Sequence, residues 1–146
     1  MNKKVAFYTL GCKLNFSETS TVAREFYSNG YEKVDFKSNQ ADYYIINTCT
    51  VTDNANKECR RIVRRIKSNN QNSFILITGC YAQLKPNEIM KIPGVNAVVS
   101  NSNKNSIFDI INKKKDQFLY HSEINSDVFY KSFSLGDRTR SFLKIQ

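Results

Sequence analysis

The chain has 146 residues, of which 40% are hydrophobic, a composition typical of one globular domain and unlike that of a disordered segment. Its net charge of +9 favours contact with a polyanion such as nucleic acid, although a basic solvated surface would give the same total. No apolar run approaches the roughly 20 residues that a membrane span requires, and no signal peptide is recognisable, so we expect a cytoplasmic protein with no membrane partner. There, the four cysteines are expected to be reduced, metal-binding or catalytic rather than disulfide-bonded.

Short apolar segments alternate with segments of helical periodicity along the first 115 residues. The pattern predicts strands over residues 5–10, 43–47 and 74–78, with a weak strand over 32–36 and a short strand over 96–99. Helices are predicted over residues 17–29, 53–68, from 86 to before 93, and around 107–111. This alternation predicts an α/β fold: a doubly wound three-layer domain with a mostly parallel sheet and a ligand site at the carboxyl ends of the strands.

Two boundaries follow from local signals. Asn15, with Glu18 three residues later, has the pattern of a capping box and predicts that the first helix begins just after Asn15. From about residue 116 the periodic pattern weakens, and residues 121–140 mix small polar and aromatic residues without a period. We therefore predict a domain over residues 1–118, a linker over 119–140 and the start of a truncated further domain over 141–146.

Three cysteines occupy equivalent places in this pattern, because Cys12, Cys49 and Cys80 each follow the end of a predicted strand. The carboxyl ends of parallel strands share one edge of a sheet, so three thiolates would converge there if these strands are neighbours. Such a set can hold an iron–sulfur cluster with one iron left open, whereas a structural zinc site normally needs a fourth ligand. Three small buried residues that pack the loop ends would fit the same placement.

Nucleophilic catalysis is the least favoured interpretation of the role of these cysteines. A Cys–His mechanism needs a histidine base, and the only histidine, His121, lies in the predicted linker. A phosphate-binding Cys-x5-Arg loop is excluded because Glu18, Ala55 and Pro86 stand six residues after the three cysteines. No glycine-rich dinucleotide or Walker-type loop follows the first strand.

The predicted second helix combines an apolar stripe with a strongly basic face. The stripe includes the fourth cysteine, Cys59, for which a core position is favoured over a ligand role. Six basic and two acidic residues over 53–67 give this segment a net charge of +4. Such a face suits a phosphate backbone, and it equally suits an exposed solvated surface.

Three segments together resemble the signature segments of the N-terminal domain of the methylthiotransferase family. They are TLGCKLN (residues 9–15) with Glu18, NTCTVT (47–52) with Ala55, and GCYAQ (79–83). Members of this family are radical S-adenosylmethionine enzymes that insert a methylthio group. The GCK and TCTVT forms resemble the branch that modifies C2 of N6-threonylcarbamoyladenosine at tRNA position 37; other branches act on isopentenyladenosine in tRNA or on a ribosomal-protein aspartate.

The resemblance implies that Cys12, Cys49 and Cys80 bind an auxiliary [4Fe–4S] cluster through three irons, with a sulfur species on the open iron. It implies that Asn15, Asn47 and Gln83 lie beside these ligands or pack behind them. A second [4Fe–4S] cluster and S-adenosylmethionine would belong to a following domain whose Cys-x3-Cys-x2-Cys motif is absent from this sequence. No catalytic residue is therefore expected here. This chain alone should bind a cluster without catalysing the methylthio transfer.

The implied partners are the anticodon loop of tRNA, a reductant and a sulfur donor. An alternative from another functional class is a non-catalytic α/β module that binds RNA or zinc.

Overall fold

The computed structural model describes residues 2–10, 13–38, 40–48, 53–100, 107–113 and 118–120. Within them, six strands form one sheet in the order β2-β1-β3-β4-β5-β6, and every neighbouring pair is parallel. The strands are β1 Lys4–Thr9, β2 Glu32–Lys33, β3 Tyr43–Thr48, β4 Phe74–Gly79, β5 Ala97–Val99 and β6 Phe118–Tyr120. The helices are α1 Lys13–Ser28, α2 Asp53–Asn69, α3 Cys80–Leu84, α4 Pro86–Met90 and α5 Ile107–Lys113, with a 3-10 turn at Phe36–Ser38.

The central strands are buried on both faces, as the apolar runs predicted. Along β3 and β4, Tyr44 and Ile77 belong to one apolar cluster, while Ile45 and Leu76 belong to another, because successive side chains point to opposite faces of a strand. Helices α2, α3 and α4 contribute to the first cluster, and α1 and α5 to the second. The domain is therefore doubly wound with three layers, and the predicted fold class is confirmed.

The strand order reverses between β1 and β3. The connection after β1 leads to α1 on one face of the sheet, and the connection after β3 leads to α2 on the other face. In open α/β sheets, a crevice forms at the carboxyl ends of the strands where the order reverses, and ligands bind in it. The fold thus places such a crevice beside the ends of β1 and β3.

The structure corrects several local predictions. Helix α1 begins at Lys13, so Asn15 lies inside its first turn, and the predicted capping box is wrong. Its Glu18 is 6% exposed and packs inward instead of closing the helix end. The helix predicted from residue 86 is preceded by a separate short helix, α3, and the weak strand over 32–36 shortens to β2 followed by the 3-10 turn.

The carboxyl-terminal part of the sheet also extends past the predicted boundary. Strand β6 pairs with β5 through Tyr120, two residues into the predicted linker over 119–140. The rest of that linker and residues 141–146 lie outside the described residues. Every helix within the described ranges is too short or too polar to span a bilayer.

Candidate metal centre

The ends of β1, β3 and β4 lie side by side at the carboxyl edge of the sheet. Thr9 pairs with Asn47, and Thr48 pairs with Gly79. In both β3 and β4 the residue that follows this last pair in sequence is a cysteine, and in β1 the cysteine comes three residues after Thr9. The three strands that precede the predicted ligands are therefore neighbours, as the prediction requires.

Of the three predicted ligands, Cys80 is described. It is the first residue of α3 and is partly exposed at the carboxyl edge of the sheet. Cys12 and Cys49 lie outside the described residues, as does His121. Helix α1 begins one residue after Cys12, and α2 begins four residues after Cys49.

Gly79 allows the ends of β3 and β4 to approach closely. Its φ is +105°, in a region that side-chain-bearing residues rarely adopt. A Cβ at this position would overlap the carbonyl oxygen of Thr48 and would lie 2.6 Å from both the Thr48 nitrogen and Asn47 Oδ1. The glycine of the GCYAQ segment is thus required by the contact between the two strands that precede Cys49 and Cys80.

A row of polar residues crosses the three strands just before the cysteines. Thr9, Asn47 and Thr78 are in register on β1, β3 and β4, and Asn47 and Thr78 are almost completely buried. All three fall on the face of the sheet covered by α1, where the preceding inward positions are apolar. The change from apolar to polar at the same level of three strands marks the base of the candidate site.

Thr19 of α1 binds two members of this row. Its Oγ1 lies 2.8 Å from the hydroxyl of Thr9 and accepts a hydrogen bond of 3.0 Å from Asn47 Nδ2. The backbone of the same strand ends is tied by the N–H of Leu10, which donates to the carbonyl of Asn47 at 2.8 Å. The helix that follows Cys12 is therefore fastened to the strand that precedes Cys49.

A second polar group holds α3, which begins with Cys80. Tyr81 is fully buried, and its hydroxyl donates a 2.8 Å hydrogen bond to Glu88 of α4. The same carboxyl oxygen accepts a 3.2 Å bond from Arg60 of α2, and Lys85 lies 3.6 Å from the other oxygen. The hydrogen bond from Tyr81, together with these two cations, lowers the pKa of Glu88. Gln83 lies in α3, three residues after Cys80.

Sequence reasoning missed Thr9, Thr19, Thr78 and Glu88. A signal for Thr9 and Thr78 exists in hindsight, since a polar residue stands two or three positions before each of the three predicted ligands. Recognising it as a row requires the strand register, which the sequence does not contain. Asn47 was expected beside the ligands, and it lies two residues before Cys49 in this row.

Cys59 differs from the other cysteine that the structure describes. It is completely buried in the cluster beneath α2, and burial raises the pKa of its thiol to about 12. A thiol with that pKa remains protonated at neutral pH and is a poor metal ligand. The structure thus supports the core role that the sequence favoured.

The described residues include one of the three predicted cluster ligands, Cys80. Among them, no group of three or more His, Cys, Asp and Glu side chains is placed to hold a metal ion, and two of the predicted ligands are not among them. What the structure does contain fits a three-thiolate site: adjacent strand ends, a glycine that permits their contact, and a partly exposed Cys80.

Comparison with known proteins identifies the relatives of this chain. The Bacillus subtilis threonylcarbamoyladenosine tRNA methylthiotransferase MtaB is 39% identical over 150 residues, covering 97% of this chain and 33% of that protein. The Aquifex aeolicus protein of the same name is 35% identical over 149 residues, covering 98% of this chain and 36% of its own length. The tRNA-2-methylthio-N(6)-dimethylallyladenosine synthase of Aquifex aeolicus is 29% identical over 117 residues, covering 77% of this chain and 26% of that enzyme.

This chain spans about a third of the length of the first two relatives. Their names confirm the resemblance to methylthiotransferases that the three cysteine segments predicted. A family comparison matches residues 4–100, which include all three segments. The chain therefore belongs to the family described as "Uncharacterized protein family UPF0004".

Proposed function

We propose that this chain is the cluster-binding domain of a tRNA methylthiotransferase and that Cys12, Cys49 and Cys80 hold a [4Fe–4S] cluster. The observation that carries the proposal is the strand register. Thr48 and Gly79 are paired, each is followed in sequence by a cysteine, and β1 ends beside them with Thr9 opposite Asn47. Three thiolates leave one iron of such a cluster without a protein ligand, and a cluster of this kind would supply a site for the sulfur that is transferred.

The residues around the strand ends have a positioning role in this proposal. Gly79 keeps β3 and β4 in contact, Thr19 ties α1 to the ends of β1 and β3, and the bond between Tyr81 and Glu88 holds α3 in place. Cys59 stays in the core as a neutral thiol. Radical chemistry with S-adenosylmethionine and a second cluster is assigned to a part of the protein that this sequence does not include.

The proposed substrate is C2 of N6-threonylcarbamoyladenosine at position 37, in the anticodon loop of a cytoplasmic tRNA. The proteins named for that nucleoside support this choice, because in Aquifex aeolicus the one so named matches 98% of the chain at 35% identity. The dimethylallyladenosine synthase of the same organism matches 77% at 29% identity. A reductant and a sulfur donor are proposed as further partners.

Anaerobic reconstitution tests the cluster. The purified chain is incubated with iron and sulfide, desalted, and analysed for iron content and for the visible absorbance of a cluster. We expect about four irons per chain, which is the composition of one [4Fe–4S] cluster. Cys12→Ala, Cys49→Ala and Cys80→Ala should each lose most of this iron, while the matched control Cys59→Ala should keep it. Stoichiometric zinc without iron uptake would contradict the proposal and favour a zinc-binding module.

The substrate is tested in cells that lack the complete gene. We expect their tRNA to contain threonylcarbamoyladenosine without its methylthio group, measured by mass spectrometry of digested nucleosides. Restoring the complete gene should restore the modification, and restoring it with Cys80→Ala should not. A defect confined to isopentenyladenosine, or to a ribosomal-protein aspartate, would reassign the substrate while leaving the cluster assignment intact.

A further inference from the structure

Helix α2 presents a basic face on the side opposite its buried stripe. Residues Cys59, Ile62, Val63 and Ile66 form that stripe and are buried in the core. Lys57, Arg61 and Arg64 are exposed and follow one another at intervals of four and three residues, so they lie in a row on the outer surface. Arg60 flanks the row and is partly exposed. We call Lys57, Arg60, Arg61 and Arg64 the α2 basic face.

The positive charge of this face is only partly neutralised. Arg61 forms two hydrogen bonds with Glu58, the Nε bond being 2.8 Å, and Arg60 shares Glu88 with Tyr81 and Lys85. Within the part of the chain that the structure describes, no carboxylate lies within ion-pair distance of Lys57 or Arg64. Two cations on one exposed surface thus remain available to an external anion.

Not every basic residue of α2 contributes to this face. Lys67 turns inward, where its ammonium donates hydrogen bonds to the carbonyl of Ser73 at 2.6 Å and of Gln71 at 3.3 Å. Burial lowers the pKa of Lys67, which is consistent with an internal bonding role. Lys67 therefore adds no charge to the exposed row of Lys57, Arg61 and Arg64.

The amino-terminal end of the α2 basic face is close to the candidate metal centre along the chain. Helix α2 begins at Asp53, four residues after Cys49, and a helix that connects parallel strands runs back along the sheet from the carboxyl edge. Lys57 is therefore the member nearest that edge. With a rise of about 1.5 Å per residue, the row from Lys57 to Arg64 is about 10 Å long.

We propose that the α2 basic face contacts the phosphate backbone of the RNA substrate while the modified base lies at the carboxyl edge of the sheet, an inference that rests on the proposed function. A row of separated cations matches a linear polyanion better than a single anionic group. Arginine side chains, which form most of the face, offer forked donors that suit phosphate oxygens. Contact with the backbone would hold RNA in place without reading its sequence.

The test compares two double variants that each remove two positive charges. One is Lys57→Ala with Arg64→Ala, in the α2 basic face. The matched control is Lys33→Ala with Lys37→Ala, two exposed lysines on the edge strand β2 and on the 3-10 turn that follows it. Binding of the 146-residue chain to a fluorescent RNA stem–loop is followed by anisotropy at several salt concentrations, and circular dichroism checks that each variant is folded.

We expect the α2 variant to bind RNA at least about tenfold more weakly at 0.1 M salt. The slope of log affinity against log salt concentration should also become shallower by about 1.5, because each lost phosphate contact reduces the slope by about 0.7–0.9. The control should change affinity less than about threefold. Equal weakening of both variants would overturn the inference, because it would reflect net charge alone. Polyglutamate that displaces RNA as effectively as unlabelled RNA does would also overturn it.

The same preparations distinguish this inference from the cluster proposal. Iron content after reconstitution should be unchanged in the α2 variant, because none of its substituted residues belongs to the candidate metal centre. If the α2 variant keeps its full iron content and shows no selective loss of RNA binding, the proposal of an RNA-binding surface alone is contradicted. If RNA binding is selectively lost but the chain takes up no iron, the cluster proposal alone is contradicted.

Discussion

Thr48 on β3 lies directly opposite Gly79 on β4, at the last pair of the ladder between the two strands. The Thr48 hydroxyl also donates a 2.8 Å hydrogen bond to the carbonyl of Thr78, the residue before Gly79. This pair fixes where two of the three cysteine-bearing segments leave the sheet. The backbone contact between Thr48 and Gly79 leaves no room for a side chain.

Gly79→Ala is expected to lower the free energy of unfolding by about 3 kcal/mol, because it combines an unfavourable φ with a Cβ that overlaps the Thr48 carbonyl. Gly30→Ala is the matched control. Gly30 has a φ of +86°, yet a Cβ there would meet no atom of the described residues within 4 Å. That change should cost only about 1 kcal/mol. Urea unfolding of both variants measures the difference, and similar losses would show that packing at Gly79 is unimportant.

Thr19→Val should destabilise the domain by about 1–3 kcal/mol, since it keeps the shape of the side chain but removes the oxygen that binds Asn47 and Thr9. Thr21→Val is the control on the same helix. Its hydroxyl donates a hydrogen bond to the carbonyl of Ser17 and accepts one from Arg24, both residues of α1, and we expect a change below about 1 kcal/mol. Thermal unfolding compares the two variants. Equal effects would argue against a special role for the polar row.

The buried Cys59 thiol predicts a loss of stability at high pH. Its folded-state pKa is raised to about 12 by burial, so the stability linked to it is fully present below the unfolded pKa of about 8.5 and is lost as the pH rises toward 12. By pH 10 the wild type should lose about 2 kcal/mol relative to Cys59→Ala. Urea unfolding of both proteins at pH 8 and pH 10 measures this. A constant difference between them would contradict the assigned pKa.

The carboxylate of Glu88 predicts a loss of stability at low pH. Its pKa is lowered by the hydrogen bond from Tyr81 and by the neighbouring cations, so the stability it contributes is present above its usual pKa of 4.5 and is lost as the pH falls below it. Between pH 7 and pH 3.5, Glu88→Gln should therefore lose less stability than the wild type. Glu32→Gln, an exposed change on β2, should follow the wild type. The urea midpoint at the two pH values checks both.

The central strands were predictable because burial on both faces leaves an unmistakable apolar run. The predicted ranges 43–47 and 74–78 differ from β3 and β4 by one residue at one end. The start of α1 was mispredicted because Asn15 and Glu18 imitate a capping box, while tertiary packing uses Glu18 as a buried residue. Local signals of this kind yield to burial when the two conflict.

The break between α3 and α4 has a local cause that the sequence does show. Lys85 precedes Pro86, and a residue before proline is disfavoured in the helical region. Lys85 accordingly adopts φ −134° and ψ 56°, which separates the two helices. Helix α3 itself escaped prediction because it has only five residues, too few for a periodic pattern.

The positions of the three cysteines relative to the strands could be predicted from the sequence, but the row of polar residues that precedes them could not. The place of Cys12, Cys49 and Cys80 after three strands follows from the order of apolar runs. The row formed by Thr9 and Asn47 depends on which residues face each other across strands, and this register emerges only from the folded sheet.

The strand order also determines when the candidate site can form during folding. Cys12, Cys49 and Cys80 are separated by 37 and 31 residues in sequence, and no local turn or hairpin brings their strands together. Parallel pairing of β1 with β3, and then of β3 with β4, requires long loops to close first, which makes it a slow step of folding. A cluster of the proposed kind, delivered before these pairings form, would meet single thiols on a flexible chain. Under that proposal we expect cluster loading to follow assembly of the sheet and to stabilise it.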